Sequence, residues 1–235
     1  EVERYILEQS KVTLLRADNN ETMAHPHAVP LQRLYEFSLK DKPKYIVTLD
    51  SDSHPIKRGW LQFLINQLND QTVLAGIWRD ELKTAISPYL HASCLCTTVG
   101  FIEQYRLRFD YIAANEKKVI HDTLSSFTEL ANEKGLGIHQ LNRSNENQVH
   151  RLIGGVYGDW VYHHGAGSRE RVSFWDESDK TEKRQKSNAQ IGLVAAELLF
   201  SNYERYMGWL RGAESFTFSP VTLNFFFKLK KIARI

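Results

Sequence analysis

The chain has 235 residues, and its 30 Lys and Arg against 28 Asp and Glu leave a formal net charge of +2. With 42% hydrophobic residues it excludes the disordered class, which combines low hydrophobicity with high net charge, and the small charge gives no general argument for nucleic-acid binding. Cys94 and Cys96, which we expect to be plain thiols, are too few for a disulfide-rich scaffold, and no apolar run approaches the roughly 18 residues of a membrane-spanning helix.

The first half of the chain alternates short apolar runs with helical spacings. These patterns predict strands at 11–16, 44–50 and 72–78 and helices at 30–39 and 57–69. The run that ends at residue 50 shows no alternation of polar and apolar residues, which is typical of a strand covered on both faces in an α/β sheet. We expect this strand to open into a polar break, SDSHP.

The second half continues the alternation and then changes character. We predict a strand at 92–99, a helix at 123–134 with Gly135 as its C-terminal stop, a strand in LGIHQL, and loose strand-like alternation in GVYGDWVYHH. Residues 168–188 are typical of a charged, solvated connector, and 189–211 of a long helix. This order predicts an α/β fold with a largely parallel sheet, in which ligands bind at the carboxyl ends of strands.

The most informative segment is IVTLDSDSHP, in which Asp50 and Asp52 stand where the covered strand opens into a loop. Carboxylate oxygens suit a hard divalent cation, and Mg²⁺ keeps open positions that accept substrate phosphates. A D-x-D pair at a strand end therefore predicts a cation site that holds a diphosphate. The alternative is a polar turn with side-chain-to-backbone hydrogen bonds, since this tripeptide is common.

Taken in order, several segments resemble the GT-A fold of nucleotide-sugar glycosyltransferases, most closely the family 2 type. The similar segments are HPHAVPLQRLYEFS, KYIVTLDSDSHPIKRGWLQFLINQL, HASCLC, HDTLSSFTELANEKGLGIHQL and VYHHGAGS. The resemblance implies a Rossmann-like GT-A catalytic domain at 1–188, with a mixed, mainly parallel sheet flanked by helices, and leaves 189–235 as a C-terminal helical extension. It also implies that this chain lacks the first strand of the fold, which we expect in a segment upstream of it.

The resemblance further implies roles for single residues at the metal site. Asp52 is the expected direct ligand, and Asp50 would bind the metal through water or hold the donor ribose. His163 or His164 would be the third ligand, and we favour His164 because it adjoins the Gly-rich turn. The metal would be Mn²⁺ or Mg²⁺, and an imidazole ligand suits Mn²⁺ better. The alternative for both histidines is a surface or structural role.

Asp122 is the candidate general base that takes the proton of the acceptor hydroxyl in an inverting transfer. Its alternative role is the N-cap of the helix that follows. The segment departs from the family pattern, because the pair is His121–Asp122 rather than Glu-Asp or Asp-Asp and no Q-x-x-R-W segment follows. Arg169 and Arg171 would bind the donor diphosphate or, in the alternative, belong to a solvated loop.

Aromatic residues are the candidates for the acceptor side. Trp78, Tyr89 and Trp160 would stack on sugar rings, with core or rim packing as the alternative, and His91 and Ser93 are weaker candidates for the same side. The tail TLNFFFKLKKIARI combines aromatics with Lys and Arg. Its two interpretations are contact with an anionic membrane surface and a helix packed on the domain with a basic outer face.

The resemblance to GT-A enzymes therefore implies a metal-dependent, inverting, hexosyltransferase-like enzyme with a nucleotide-sugar donor and a glycan or lipid-linked acceptor, and the small net charge gives no argument for a nucleic-acid partner. We expect a cytoplasmic protein, peripheral at the inner face of a membrane if the tail binds lipid. Two alternatives stay open. One is a degenerate GT-A module that binds sugar or a partner without catalysis, and the other is a haloacid-dehalogenase-type phosphatase whose nucleophile is the first Asp of its D-x-D motif.

Overall fold

A computed structural model describes residues 8, 11–16, 28–80, 87–109, 123–144, 155–164 and 204. Asp122, Arg169 and Arg171 lie outside these residues, as do the predicted connector at 168–188 and, apart from Glu204, the predicted extension at 189–235. The described part of the chain covers the D-x-D segment, both candidate histidines and the strands around them.

Helices and strands alternate along this part of the chain. The helices are α1 (Ala28–Ser38), α2 (Trp60–Gln67), α3 (Val99–Gln104) and α4 (Ser125–Glu133), and a 3-10 turn, Leu39–Asp41, follows α1. The strands are β1 (Tyr45–Leu49), β2 (Ser53–Pro55), β3 (Thr72–Arg79), β4 (Tyr89–Thr98), β5 (Gly137–Leu141), β6 (Gly155–Tyr157) and β7 (Val161–His163). Within the described residues, no helix combines the length and the apolar character that crossing a bilayer requires.

The larger sheet has the strand order β1-β4-β3-β5. β4 is antiparallel to both of its neighbours, whereas β3 and β5 are parallel, so β1, β3 and β5 share one direction and β4 runs against them. A smaller antiparallel sheet has the order β2-β7-β6. The predicted α/β class with a mixed sheet flanked by helices is confirmed. The expectation of a largely parallel sheet is wrong for the described strands, because two of the three strand pairs of the larger sheet are antiparallel and only β3 with β5 is parallel.

The larger sheet is covered on both faces. One face packs against α1, α3 and α4 through a buried cluster that includes Tyr35, Phe101 and Phe127. The other face packs against α2 and the smaller sheet through a second cluster that includes Leu64 and Val161. Each fully buried apolar side chain of this size contributes about 1.5–3 kcal/mol, so these two clusters hold the smaller sheet and the helices against the larger sheet.

Three sequence expectations are corrected here. Residues 11–16 form no strand, and Val12 is 53% exposed, because none of the described strands pairs with this segment and an unpaired strand leaves its backbone groups unsatisfied. The break SDSHP contains β2, which ends in Pro55 at the edge of the smaller sheet, where proline is tolerated. The strand that is covered on both faces is β4 rather than β1. In β1, Thr48 is buried and Leu49 is exposed.

β4 is irregular where it pairs with β3. Gly76 pairs with Leu95 and Trp78 with Leu90, so β3 advances by two residues while β4 advances by five, which leaves three extra residues in β4. We call residues 91–94 the β4 bulge. A Cβ atom on Gly76 would lie 2.1 Å from the Cys94 carbonyl oxygen, so glycine at this position leaves room for the bulge.

Replacing Gly76 with alanine should lower the free energy of unfolding by about 2 kcal/mol or more, because the new methyl group would overlap the Cys94 carbonyl. Gly100 in α3 is the matched control, since a Cβ there meets nothing within 4 Å and alanine is the better helix former by about 0.5–1 kcal/mol. Urea unfolding followed by circular dichroism measures both variants. A Gly76→Ala protein as stable as the wild type would contradict this close approach of the two strands.

The two cysteines are free thiols, as expected, and both are buried in the cluster beneath the smaller sheet. They lie on one face of β4, because side chains two residues apart on a strand share a face. Burial raises the pKa of the Cys94 and Cys96 thiols to about 12. The thiolate is the reactive form of cysteine, so both residues are protected from alkylation in the folded chain.

Iodoacetamide at pH 8.5 should label neither cysteine in the folded chain and both in urea, where thiols ionise near a pKa of about 8.5. Between that pH and about 12 the unfolded chain loses thiol protons that the folded chain retains, so each thiol lowers stability as the pH rises. Mass spectrometry of the labelled protein measures the alkylation. The urea midpoints of unfolding from pH 8 to 10 measure the loss of stability. Labelling of the folded chain at the rate seen in urea would contradict the burial of the thiols.

Candidate metal centre

The D-x-D segment leaves β1 at the carboxyl end of the strand and turns into β2. The Asp50 N–H donates to the Ser93 carbonyl of β4 at 3.4 Å, and the Ser53 N–H donates to the Asp50 carbonyl at 3.0 Å, which closes a tight turn. The Asp52 carbonyl accepts a hydrogen bond of 2.9 Å from the His164 N–H of the chain after β7. These backbone contacts place both aspartates at the end of β1, where ligands of open α/β sheets bind.

His163 reaches this point from the smaller sheet. It ends β7, where it pairs with Ser53 of β2 on one side and Gly155 of β6 on the other. The side chain is 6% exposed, and its Nε2 atom lies 3.5 Å from the Oδ1 atom of Asp52. The pairing of β2 with β7 therefore brings a buried imidazole to the aspartates of the D-x-D segment.

His91 reaches the same point from the β4 bulge. Its ring centroid lies 5.3 Å from that of His163. Its Nδ1 atom accepts a hydrogen bond of 3.1 Å from the Ser93 backbone N–H and lies 2.7 Å from the Ser93 Oγ atom. With Nδ1 accepting, the neutral ring carries its proton on Nε2, so binding a cation through Nε2 requires the other tautomer, in which Nδ1–H donates to the Ser93 hydroxyl instead.

Asp50, His91 and His163 form one group, in which a ligand atom from each lies within 4.8 Å of the others. One carboxylate and two imidazoles are a donor set that holds a divalent transition metal and leaves coordination positions open. The set fits Mn²⁺, Fe²⁺ or Zn²⁺ better than Mg²⁺, which prefers an all-oxygen shell. The described residues therefore contain a candidate metal-binding group, with Asp52 beside it at His163.

His164, which the sequence interpretation favoured as the ligand, is not part of this group of described residues. Its Nδ1 atom lies 2.8 Å from the Tyr162 hydroxyl, and the Tyr162 ring packs against His54 with centroids 4.9 Å apart. Burial lowers the pKa of His54, the electrostatic interaction with His164 lowers it further, and Asp52 opposes this shift. The adjacent histidines thus make different contacts, His163 with Asp52 and His164 with Tyr162.

The aromatic residues predicted for the acceptor side pack within the protein. Tyr89 is buried, and Trp78 packs against the cluster beneath α4. Trp160 stacks on Phe63 of α2, with ring centroids 4.2 Å apart and an interplanar angle of 16°. The Lys57 Nζ atom lies 5.1 Å above the Trp160 ring. These positions agree with the packing alternative for all three aromatics.

The helix that follows Asp122 is described, although Asp122 itself is not. α4 begins at Ser125, and its N-cap position is Leu124, which has a φ of 70° and no side-chain capping hydrogen bond. Asp122 lies outside the described residues, so its alternative role as a cap is not tested. Its role as a base stays a prediction, as do the diphosphate contacts of Arg169 and Arg171.

The place of His91 in the metal-binding group was not predicted. The sequence carries one trace of it, because the alternation in LHASCLC holds as far as Cys94 and breaks at Leu95, where Cys94, Leu95 and Cys96 are three apolar residues in succession. Such a break agrees with a bulge, but the register of β4 against β3 is needed to find which residues are extruded.

Comparison of the chain with protein-family models, with curated proteins and with solved structures gives no match. The resemblance to GT-A glycosyltransferases therefore rests on the sequence segments quoted above, and the functional argument rests on the geometry of the candidate site.

We expect the adjacent residues His163 and His164 to differ in how much each contributes to Mn²⁺ affinity. His163→Ala should weaken Mn²⁺ binding by about 100-fold or more, because losing a ligand exceeds the 10–100-fold effect typical of an outer partner. His164→Ala is the matched control and should stay within about threefold of the wild type, since its imidazole contacts Tyr162 and lies outside the group of three. Calorimetric titration with MnCl₂ measures both, and wild-type affinity in His163→Ala would contradict the assignment.

Proposed function

We propose that the chain is a metal-dependent glycosyltransferase that moves a sugar from a nucleotide-diphosphate sugar to a hydroxyl acceptor. The observation that carries this proposal is the meeting of the D-x-D segment with the late-strand histidine. The Oδ1 atom of Asp52 lies 3.5 Å from Nε2 of His163, and Asp50 and His163 belong to one group of ligand atoms. The resemblance to GT-A enzymes implies that these segments meet, so this geometry supports the proposal.

The burial of the group supports a site that a substrate reaches. His163 is buried, whereas Asp50 and His91 are half-buried and the Asp52 side chain is 27% exposed, so part of the group is accessible to solvent. Asp50, His91 and His163 would hold the cation, and Asp52 would orient His163 or join the ligands. A divalent cation bound there neutralises the charge that develops on the leaving diphosphate.

The remaining roles in this proposal come from the family resemblance. Asp122 takes the proton from the acceptor hydroxyl as that oxygen attacks the anomeric carbon, and the transfer inverts the configuration. Arg169 and Arg171 bind the donor diphosphate through charge-assisted hydrogen bonds. The cation is Mn²⁺ in preference to Mg²⁺, because two of the three grouped ligands are imidazoles.

His91 favours a second candidate function at the same site. Two imidazoles and a carboxylate are also the ligand set of catalytic zinc centres, which activate water for hydrolysis. A metal-dependent hydrolase of phosphate esters is therefore the second candidate. Transfer requires an acceptor for the donor to be consumed at full rate, whereas hydrolysis consumes it in water alone.

The proposed function is tested by thermal unfolding with UDP, GDP and their sugars, each with and without Mn²⁺. A nucleotide at about 100 times its dissociation constant adds about 2.7 kcal/mol of stability, so a shift of several degrees that needs both nucleotide and Mn²⁺ is expected. Asp52→Asn should abolish the shift, because it removes a charge beside His163 and keeps the shape of the side chain. Asp70→Asn is the matched control, since Asp70 is exposed just before β3, at the opposite end of the sheet.

Product analysis with a panel of hydroxyl acceptors separates the two candidates. Release of UDP or GDP together with a glycosylated acceptor supports transfer, and release of a nucleoside monophosphate and a sugar phosphate without any acceptor supports hydrolysis of the phosphate ester. Nucleotide binding that is indifferent to Mn²⁺, or an Asp52→Asn protein with full transfer activity, would overturn the glycosyltransferase proposal.

A further inference from the structure

The β4 bulge places His91 at the metal-binding group. The hydrogen-bonding partners of the bulge therefore determine the position of the His91 imidazole. β4 pairs with β1 up to Cys94 and with β3 up to Leu95, and its ladder with β3 resumes only at Leu90. The backbone between these points takes no part in a regular ladder with β3. Backbone groups buried there need other partners, because an unpaired one is costly.

One buried side chain hydrogen-bonds to a backbone group inside this stretch and to another at its boundary. The Thr48 hydroxyl of β1 donates to the Ala92 carbonyl at 2.7 Å and accepts from the Leu95 N–H at 3.2 Å. Thr48 is only 6% exposed, so water does not readily replace either bond. These two hydrogen bonds therefore fix the backbone of the β4 bulge to the interior of the sheet.

A second threonine supplies the partner at the other end of the bulge. The Leu90 N–H donates to the Thr128 Oγ1 atom of α4 at 3.0 Å, and Thr128 is also buried. Leu90 immediately precedes His91, and Ala92 immediately follows it. The backbone on both sides of the candidate ligand is therefore held by threonine hydroxyls.

We propose that Thr48 and Thr128 are positioning residues for the metal centre, because their hydroxyls hold the β4 bulge that brings His91 to Asp50 and His163. The inference rests on the metal site of the proposed function. Neither threonine contributes an atom to the group of three ligands, so each acts through the backbone around His91. Valine has the same shape as threonine but neither donates nor accepts, so it removes the hydrogen bonds while preserving the packing.

The test measures Mn²⁺ affinity by calorimetric titration in Thr48→Val and Thr48→Ser. Thr48→Val should weaken binding by about 10–100-fold, the range typical of partners that orient a metal-binding histidine, and Thr48→Ser should restore affinity to within about threefold of the wild type. Thr97→Val is the matched control. Its hydroxyl is buried in the same strand and donates to the Val73 carbonyl at 2.8 Å, but it lies beyond the bulge, at most about 13 Å further along β4 than His91, since residues 90–97 of β4 span four residues of β3.

Both valine variants should lower the melting temperature, but only Thr48→Val should lower Mn²⁺ affinity, which separates a positioning role from a merely structural one. A double variant adds a second check: in a His91→Ala background, Thr48→Val should change Mn²⁺ affinity by less than about threefold, since its route to the metal has been removed. If Thr48→Val does not fold, Thr128→Val takes its place and should weaken Mn²⁺ binding in the same way.

The possible results of this test distinguish the metal centre from the positioning role of the threonines. Absence of Mn²⁺ binding in the wild type would overturn both the metal centre and this inference. Wild-type affinity in Thr48→Val, or in Thr128→Val where that variant replaces it, would overturn the positioning role alone and leave the metal centre standing. Equal losses of affinity in Thr48→Val and Thr97→Val would also overturn it, because the effect would then follow stability rather than the bulge.

Discussion

β4 lies between β1 and β3 and runs against both of them, so its first residues stand beside the last residues of β1. This antiparallel course is what lets His91, near the start of β4, meet Asp50, just past the end of β1. A strand parallel to β1 would present its own carboxyl end there. The bulge adds a second adjustment, because extra residues in a strand re-aim the side chains that they carry.

The position of His163, the third member of the candidate metal-binding group, depends on how the smaller sheet is attached. Residue pairs of β2 and β7 join the D-x-D loop to the late strand, and the Ile56 N–H donates to the Trp160 carbonyl at 2.9 Å just beyond that pairing. The Trp160 ring in turn stacks on Phe63 of α2, which packs on the larger sheet. His163 is therefore placed by a chain of contacts that begins in the core, and the geometry of the site is a consequence of tertiary packing.

Much of the architecture could be predicted from the sequence because it follows from local patterns. The apolar spacings of α1, α2 and α4 and the apolar runs of β1, β3 and β5 each lie within one segment, and the observed elements fall close to the predicted ranges. The place of Asp50 in a candidate metal-binding group could likewise be predicted, since a carboxylate pair at a strand end has a chemical meaning by itself, whereas Asp52, the expected direct ligand, lies beside that group at His163. The strand prediction for residues 11–16 was wrong for the complementary reason: a strand also needs a neighbouring strand to pair with, which a local pattern does not reveal.

The ligand set could not be predicted, because it depends on register. His163 and His164 are adjacent on a strand, so the choice between them is set by how β7 pairs with β2 and β6. The role of His91 depends on three extra residues in β4, which appear only when β4 is aligned with β3. A single residue of slip in either pairing would turn a different side chain towards Asp50, and no pattern within one segment reports such a slip.

The uneven burial of the three grouped residues bears on what a cation would do there. Structural metal sites are closed, with protein atoms in every coordination position, whereas catalytic sites keep a position for substrate or water. Here one ligand is buried, two are half-buried, and the partly exposed Asp52 stands at the rim. An open group of charged and imidazole ligands on an already packed sheet is the arrangement expected where the cation serves a bound anion, which is why the proposed function places a diphosphate at the end of β1.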